Sequence, residues 1–203
     1  MNPDARSPAM ASPFLSRLRL ATRDTHVAIE RTLALTEPGL TLDGYQRVLE
    51  KFYGYYQPME EHLQLGRSQL ADWLDVQGRG KTPWLTQDLR RFRPVGAPPL
   101  PLCRDLPAMN GPAAYFGCMY VLEGATLGGV IISRHILENL SVSPLSGGRF
   151  FHGYGEATGR MWQQFRAGLA AFAETERDQE AVIASARATF ETLRNWCELE
   201  YSQ

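Results

Sequence analysis

The feature that constrains this chain most is residues 119–132, MYVLEGATLGGVII, in which apolar residues surround three glycines. The stretch has the length and composition of a helix, yet each glycine costs roughly 1 kcal/mol relative to alanine in a helix interior. Together they cost about 3 kcal/mol, a large sum against a total stability on the order of 10 kcal/mol. We therefore expect the glycines to serve a purpose that a side chain would prevent.

Gly124 and Gly128 lie one helical turn apart and therefore share a face of the predicted helix. Because glycine has no Cβ, the backbone there can lie directly against a flat partner, and the helix can bend. Two hypotheses follow from this spacing: close packing against another helix, or a backbone laid against a planar cofactor. The spacing leaves both open, so the rest of the chain has to decide between them.

Composition limits the class of protein. The 203 residues suit one domain, and an apolar share of 44% with a net charge of -1 points to neither a nucleic acid nor a membrane surface as partner. We expect no membrane-spanning segment and no signal sequence, and hence a cytoplasmic location. Cys103, Cys118 and Cys197 are odd in number and widely spaced, which favours reduced thiols over disulfides or a zinc site.

The first part of the chain predicts a disordered tail followed by a helix. Residues 1–11 are rich in small, polar and proline residues, and we assign 12–203 to one domain. Ser12 and Pro13 read as an N-cap and a first-turn proline, and the Pro-Gly pair within 37–39 ends the helix. The residues that recur at intervals of three and four, as on one face of a helix, are Leu15, Leu18, Thr22, His26, Ile29 and Leu33.

The remaining periodicity is helical as well. A second helix should begin near Thr41 and continue past Pro58 with a kink, and Thr82 should open a short third helix. The proline-rich residues 93–112 and the residues 141–152 read as loops. The other predicted helices are 112–140, 154–174 and 178–201. With no alternating strand pattern, the prediction is an all-α single domain of about six to eight helices.

His26 stands in the apolar stripe of the first helix. A lone histidine in such a stripe is more often a core residue, but its neighbours change that assessment. Glu30, four residues on, is close enough to hold one ring nitrogen while the other binds a metal. Arg19 and Arg23 lie on nearly the same face, which suits an anionic ligand; the alternative is that they are solvated helix residues.

Two segments together resemble one family. Residues 20–26, LATRDTH, followed by Glu30, resemble the proximal helix of haem oxygenases, and residues 120–129, YVLEGATLGG, resemble their distal helix. Both motifs stand in the family's order and at about its separation, and the resemblance covers nearly the whole chain after the tail. It is closest in style to bacterial members, some of which supply bilin to phytochromes. It implies a haem-oxygenase-like helical bundle with a kinked, glycine-rich distal helix.

The resemblance also implies roles for individual residues. His26 would be the axial ligand of the haem iron, and Gly124 and Gly128 would lie over the porphyrin with Gly129 beside them. Animal members have an aspartate where this chain has Ala125, which leaves the distal water to other polar groups such as Thr126. The charged and aromatic residues expected to contact the haem are Arg19, Arg23, Glu30, Tyr120, Arg166 and Phe190.

The implied reaction uses haem as both substrate and cofactor, and yields biliverdin, ferrous iron and carbon monoxide. A neutral imidazole ligand supports oxygen binding without the electron push of a thiolate. No flavin or nucleotide motif occurs, so electrons should come from a ferredoxin, a flavodoxin or a reductase. The implied partners are this redox protein and a bacteriophytochrome that receives the bilin, with no nucleic acid and no membrane.

Other functions remain open from the sequence. The same fold could carry or sense haem without turnover, or could serve a small heterocycle, as in thiamin-salvage or quinone-cofactor enzymes. His135, eleven residues after Gly124, is a second candidate ligand. A di-iron site is disfavoured, because no Glu-x-x-His motif occurs and Glu123 has no evident set of partners.

Overall fold

The computed structural model describes residues 13–199, and over that range the chain is helical, with no strand. The all-α fold class is therefore confirmed. The predicted tail, 1–11, and the predicted N-cap at Ser12 lie outside the described residues. The helices are α1 (Pro13–Leu33), α2 (Leu42–Leu65), α3 (Thr82–Phe92), α4 (Pro112–Leu140), α5 (Arg149–His152), α6 (Thr158–Phe172) and α7 (Glu176–Glu198), with 3-10 turns at Arg67–Gln69 and Gly155–Ala157.

Local signals set most of the helix ends. Pro13 opens α1, as a proline in the first turn should. The hydroxyl of Thr41 accepts a hydrogen bond of 3.1 Å from the backbone N–H of Gly44 and so caps α2, which continues through Pro58. The hydroxyl of Thr175 caps α7 in the same way, accepting a bond of 3.1 Å from the N–H of Asp178.

Helix α5 lies within residues 141–152, which the sequence analysis assigned to a loop. Asp88, in α3, explains the difference: its buried carboxylate accepts hydrogen bonds of 2.8 Å from the N–H of Arg149 and 2.7 Å from that of Phe150. These bonds satisfy the first amides of the short helix. They join residues about sixty positions apart in the chain, so no local pattern could predict them.

The penultimate helix begins later than predicted, at Thr158 rather than at residue 154. Gly153 and Gly155 adopt positive φ angles of 59° and 58°, which interrupt any helix across this segment. The last helix begins slightly earlier than predicted, at Glu176.

Helix α4 forms the centre of the bundle. α7 packs along both α4 and α1, while α5 and α6 also contact α4, and α2 packs on α3. The aromatic rings of Phe116 in α4 and Phe172 in α6 stack with centroids 5.0 Å apart. Phe52 of α2 contacts Phe150 of α5, with ring centroids 5.4 Å apart. The contacts with α5, α6 and α7 bury the back of α4 in the protein core.

By length and composition, α4 could also cross a membrane, with a mean hydropathy of 1.5. The sequence analysis expected no membrane-spanning segment, although the length and hydropathy of α4 alone would permit one. Half of the window concerned is buried within the protein, and α5, α6 and α7 pack against the helix. The apolar composition of α4 therefore reflects its place at the centre of a helical bundle.

Candidate functional site

The first part of the site is the face of α4 that carries Gly124 and Gly128. A Cβ placed on either glycine would meet no atom within 4 Å. The neighbouring apolar side chains on this side, Leu127 and Ile131, are 41% and 68% exposed. This face of α4 therefore borders open space, which for these two glycines favours a bound ligand over close helix packing.

Gly129 differs from the other two glycines. It is buried, and a Cβ there would lie 2.5 Å from the carbonyl oxygen of Phe151 in the segment of α5. The absent side chain thus allows α5 to approach the back of α4. The sequence analysis grouped Gly129 with the haem contacts, but the structure gives it the packing role.

Thr126 also faces the protein interior. It lies about 200° around the helix from Gly124, because each residue turns the helix by about 100°. Its hydroxyl donates a hydrogen bond of 2.7 Å to the carbonyl of Glu123, and its side chain lies beside Gly153. The structure therefore turns Thr126 away from the open face, and we do not retain it as an anchor for distal water.

His26 provides the second part of the site, on α1. Its side chain is 51% exposed, and its Nδ1 lies 3.5 Å from a carboxylate oxygen of Glu30. The edge of the imidazole meets the ring of Phe190 in α7, with centroids 5.6 Å apart at 87°. Since the carboxylate lies beside Nδ1, Nε2 is the nitrogen left for a metal ion.

Tyr120 is the point where three helices meet. Burial raises the pKa of Tyr120, while a side-chain hydrogen bond with Thr22 and the positive charge of Arg19 act in the opposite direction. Its ring also packs against Trp162 of α6, with centroids 5.9 Å apart. The three helices α1, α4 and α6 thus meet at Tyr120. This point lies one turn before Gly124 on α4 and, at Thr22, one turn before His26 on α1.

Several arginines lie around this convergence. Arg19 and Arg23 are exposed on α1, and Arg166 lies on α6 one turn after Trp162. Among the described residues, none of these three arginines forms an ion pair with a carboxylate. Each guanidinium therefore remains open to an anionic ligand.

Sequence reasoning overlooked Trp162 and Arg187 in this region. Arg187 of α7 donates a hydrogen bond of 2.7 Å from Nε to the carbonyl of Ala21 and so fixes α7 against α1. Trp162 could have been found from the sequence, because it stands one turn before Arg166 and residues four apart share a helix face.

His135 does not compete with His26 for the open face. Its Nε2 is enclosed by protein and makes no hydrogen bond within residues 13–199. Its Nδ1 lies 3.3 Å from the side-chain nitrogen of Asn139. His62 is exposed elsewhere, with Nδ1 2.8 Å from the carbonyl oxygen of Pro58. Of these three histidines, His26 is the one with an exposed ring on α1, the helix that meets α4 one turn before Gly124.

Glu123 has the partners that the sequence analysis did not find. Its buried carboxylate lies 2.7 Å from Nη1 of Arg79 and 2.7 Å from Nζ of Lys81, and the hydroxyl of Tyr154 donates to it at 2.9 Å. The partners are separated from Glu123 by thirty or more positions in the chain, so spacing could not reveal them.

No group of three or more histidine, cysteine, aspartate or glutamate side chains in the described part of the chain could hold a metal ion. A single histidine such as His26 can still bind a metal that arrives with its own equatorial ligands. The iron of a porphyrin is of this kind. Within the described residues, His26 could therefore bind the iron of a porphyrin but is not part of a metal site built from several protein side chains.

Comparison with known proteins identifies the family of this chain. A family model for haem oxygenase matches residues 12–199. The chain belongs to the haem oxygenase family. It is accordingly an enzyme of the class that binds haem and degrades it with oxygen.

One relative is a haem oxygenase from Xanthomonas campestris pv. campestris (strain 8004), 29% identical over 164 residues. The match spans 77% of this chain and 90% of that protein. The two proteins therefore correspond over most of their length.

Two solved structures are similar in fold. The NO- and CO-bound haem oxygenase of Neisseria meningitidis gives a TM-score of 0.74 at 21% identity, covering 95% of this chain and 96% of that one. The haem oxygenase of Leptospira interrogans gives 0.74 at 19% identity, covering 93% and 98%. At these identities the comparison confirms the haem oxygenase fold, as predicted from the two motifs.

Proposed function

We propose that this haem oxygenase binds haem between α1 and α4 and cleaves it to biliverdin, ferrous iron and carbon monoxide. The observation that carries this proposal is the open face at Gly124 and Gly128, on a helix that meets α1 one turn before His26. Bare helix backbone can approach a flat porphyrin more closely than any side chain would allow. The half-exposed imidazole supplies the one protein ligand that the iron needs.

The residues around the two helices fit haem. Nε2 of His26 would bind the iron, while Glu30 beside Nδ1 and the edge of Phe190 hold the orientation of the ring. Arg19 and Arg166, both without a carboxylate partner in the described range, would bind the propionates. Charge-assisted hydrogen bonds of this type contribute roughly 1.5–3 kcal/mol when shielded from water.

Arg23 and Tyr120 complete the proposed contacts. Arg23 lies on the exposed side of α1, where it can add positive charge near the propionates. The hydroxyl of Tyr120 lies near Thr22 and Arg19, and burial keeps it protonated well above neutral pH by raising its pKa. A protonated phenol can donate a hydrogen bond to a carboxylate, which supports Tyr120 as a propionate contact.

When bound, haem supplies both the iron that activates oxygen and the carbon skeleton that is oxidised. The task of this chain is to leave the distal side free of groups that would redirect the reaction. The side chains that flank Gly124 and Gly128 on their face are Tyr120, Leu127 and Ile131. Peroxidase-type cleavage of the O–O bond needs a distal side chain that exchanges a proton near neutral pH. None of these three side chains does so, which favours attack on the porphyrin instead.

The partners and the location form a further part of the proposal. Electrons would come from a ferredoxin, a flavodoxin or a reductase, and a bacteriophytochrome would receive the bilin. Both partners, and a cytoplasmic location, rest on the resemblance to bacterial haem oxygenases. We also propose that residues 12–203 form the enzyme domain and that 1–11 precede it, which is supported by a family match that begins at residue 12.

The test is a spectroscopic titration followed by turnover. Haem is added to the protein, a reductant is supplied with oxygen, and catalase removes free peroxide. We expect a saturable Soret band that then decays into the red absorption of a bilin. A stable ferrous spectrum would instead support a carrier or sensor, and failure to bind haem would favour a small heterocycle as substrate.

A further inference from the structure

A buried charged cluster lies next to Gly124, on a side of α4 that is turned away from the open face. We call Glu123, Arg79, Lys81 and Tyr154 the Glu123 cluster. The side chains of Arg79, Lys81 and Glu123 are only 5%, 3% and 2% exposed. Burying three charges costs solvation energy that their mutual attraction often fails to recover. Stability alone is therefore a weak reason for the cluster.

Both cations of the Glu123 cluster are also bound to other parts of the protein. Arg79 donates from Nε to the carbonyl of Asp75 at 3.0 Å, and from Nη1 to the carbonyl of Met161 in α6 at 3.3 Å. Such bonds fix the position of the guanidinium independently of Glu123. The cluster therefore connects α4 with α6 and with the segment before α3.

Lys81 is held as firmly. Its Nζ donates to the carbonyl of Arg79 at 2.9 Å, and its backbone N–H donates to the carboxylate of Glu60 in α2 at 2.6 Å. The cluster thus reaches α2 as well. Glu123 is the α4 residue that joins the hydrogen bonds of Arg79 and Lys81 to this helix.

The glycine segment of α4 is the part of the helix that most needs such support. Glycines favour helix bending and weaken the helix by roughly 1 kcal/mol each. The open face of Gly124 and Gly128 makes no contact that could resist this. The segment is held from behind, by the Glu123 cluster and by the contact of Gly129 with Phe151.

We propose that the Glu123 cluster is a positioning device, which fixes the distance of the Gly124–Gly128 backbone from the haem. This inference rests on the proposed function, since it concerns the same site. Glu123, Arg79, Lys81 and Tyr154 face away from the open side, so they act through the backbone of α4 and are positioning residues. The backbone distance in turn sets how closely the porphyrin can approach α4 and which meso carbon is presented to oxygen.

Two substitutions separate reach from charge. Glu123→Gln keeps the length of the side chain and removes its charge, whereas Glu123→Asp keeps the charge and shortens the reach. Positioning needs contact with Arg79 and Lys81 at the same time, so both variants should release the segment. A purely electrostatic effect on the site would spare Glu123→Asp.

The first measurement needs no haem. We expect hydrogen–deuterium exchange of the amides in residues 119–130 of the apo-protein to become roughly tenfold faster in both Glu123 variants. The control is Lys51→Met, which removes another buried cation, one that donates to the carbonyl of Trp196 at 3.2 Å near the end of α7. This control should lose stability, and exchange across 119–130 should rise by no more than that loss of global stability accounts for.

The second measurement uses the haem-loaded protein. Both Glu123 variants should still show a Soret band through His26, but bilin formed per bound haem should fall roughly tenfold or the isomer mixture should broaden. Lys51→Met should match the wild type per bound haem. If the wild type itself formed no bilin, the proposed function would fail, while the exchange rates would still decide whether the cluster holds α4.

The proposal is overturned if the amides of residues 119–130 exchange no faster in Glu123→Gln than in Lys51→Met. It is equally overturned if faster exchange leaves bilin yield and isomers unchanged. If Glu123→Gln fails to fold, Tyr154→Phe replaces it, because this change removes the hydroxyl that bonds Glu123, Lys81 and the carbonyl of Arg79 but removes no charge. Faster exchange in Tyr154→Phe then supports the proposal, and unchanged exchange overturns it.

Discussion

Gly124 and Gly129 stand five residues apart in α4 but lack a side chain for different physical reasons. At Gly124 a Cβ would enter open space, whereas at Gly129 it would collide with the carbonyl of Phe151. The sequence alone could not separate these roles, because both glycines break the same helix rule. The difference predicts that substitutions at the two positions will affect different properties of the protein.

Gly124→Leu and Gly128→Leu should leave the melting temperature of the apo-protein unchanged or slightly higher, since leucine is the better helix former by somewhat under 1 kcal/mol. Haem binding and bilin formation should fail, because the new side chain occupies the open face. Calorimetry of the apo-protein and titration with haem check both parts. Gly129→Ala is the matched control and should destabilise the apo-protein by about 1–3 kcal/mol. A large loss of apo stability in Gly124→Leu with normal turnover would refute the assignment.

His26→Ala should give a folded protein with altered haem ligation and little turnover, because it removes the half-exposed imidazole beside Phe190. The Soret spectrum and the bilin yield are the measurements. His62→Ala is the control, since His62 is exposed on α2 and its Nδ1 lies 2.8 Å from the carbonyl oxygen of Pro58. An unchanged spectrum in His26→Ala would move the ligand role to another residue.

Helices α1 and α6, which both contact Tyr120, each carry an arginine without a carboxylate partner in the described range. Arg19→Glu and Arg166→Glu should weaken haem binding or change the mixture of bilin isomers, because each would place a carboxylate beside a propionate. Titration with haem and chromatography of the products measure these effects. Arg90→Glu, on the exposed side of α3, is a control with the same change of charge. Unaltered affinity and products in both test variants would show that these arginines are solvated surface residues.

Helix α5 depends on a contact from α3. Burial raises the pKa of Asp88. The hydrogen bonds from the N–H groups of Phe150 and Arg149 and the charge of Arg149 act in the opposite direction but are smaller, so the pKa lies above its ordinary value. The folded protein therefore keeps the Asp88 proton to a higher pH than the unfolded chain does. As the pH rises from the ordinary aspartate range through the raised pKa, the contribution of Asp88 to the free energy of unfolding falls.

Asp88→Asn should remove this slope, which is the fall in the free energy of unfolding as the pH rises. The substitution should also lower the free energy of unfolding by about 1–3 kcal/mol, because one buried N–H at the start of α5 loses its acceptor. Denaturant unfolding at a series of acidic pH values measures both effects. Asp75→Asn, at an exposed position in the segment before α3, should keep the slope of the wild type. A slope that persists in Asp88→Asn would contradict the account of how α5 is held.

Across the whole molecule, the sequence predicted what depends on local patterns. The stripe from Leu15 to Leu33, the cap at Thr41 and the proline at Thr82-Pro83 each marked a helix that the structure contains. The two motifs, read together, identified the family. Phe190 lies against His26, and its expected contact with the haem stays a prediction.

Contacts between distant segments account for what the sequence analysis missed. The partners of Glu123 come from the segments around Arg79 and Tyr154, and α5 forms because Asp88 reaches it from α3. The inward direction of Thr126 follows from the rotation of α4 within the bundle, which helical spacing fixes only relative to Gly124. None of these features has a signature within a short stretch of chain.

The most direct test of the central claim is to measure carbon monoxide released per haem consumed. The reconstituted protein is supplied with oxygen and reductant in the presence of catalase, and biliverdin is measured in the same sample. If haem is cleaved on the open face of α4, carbon monoxide and biliverdin should form in equimolar amounts, and Gly124→Leu should form neither. Loss of haem without carbon monoxide, or equal yields in Gly124→Leu, would contradict the account.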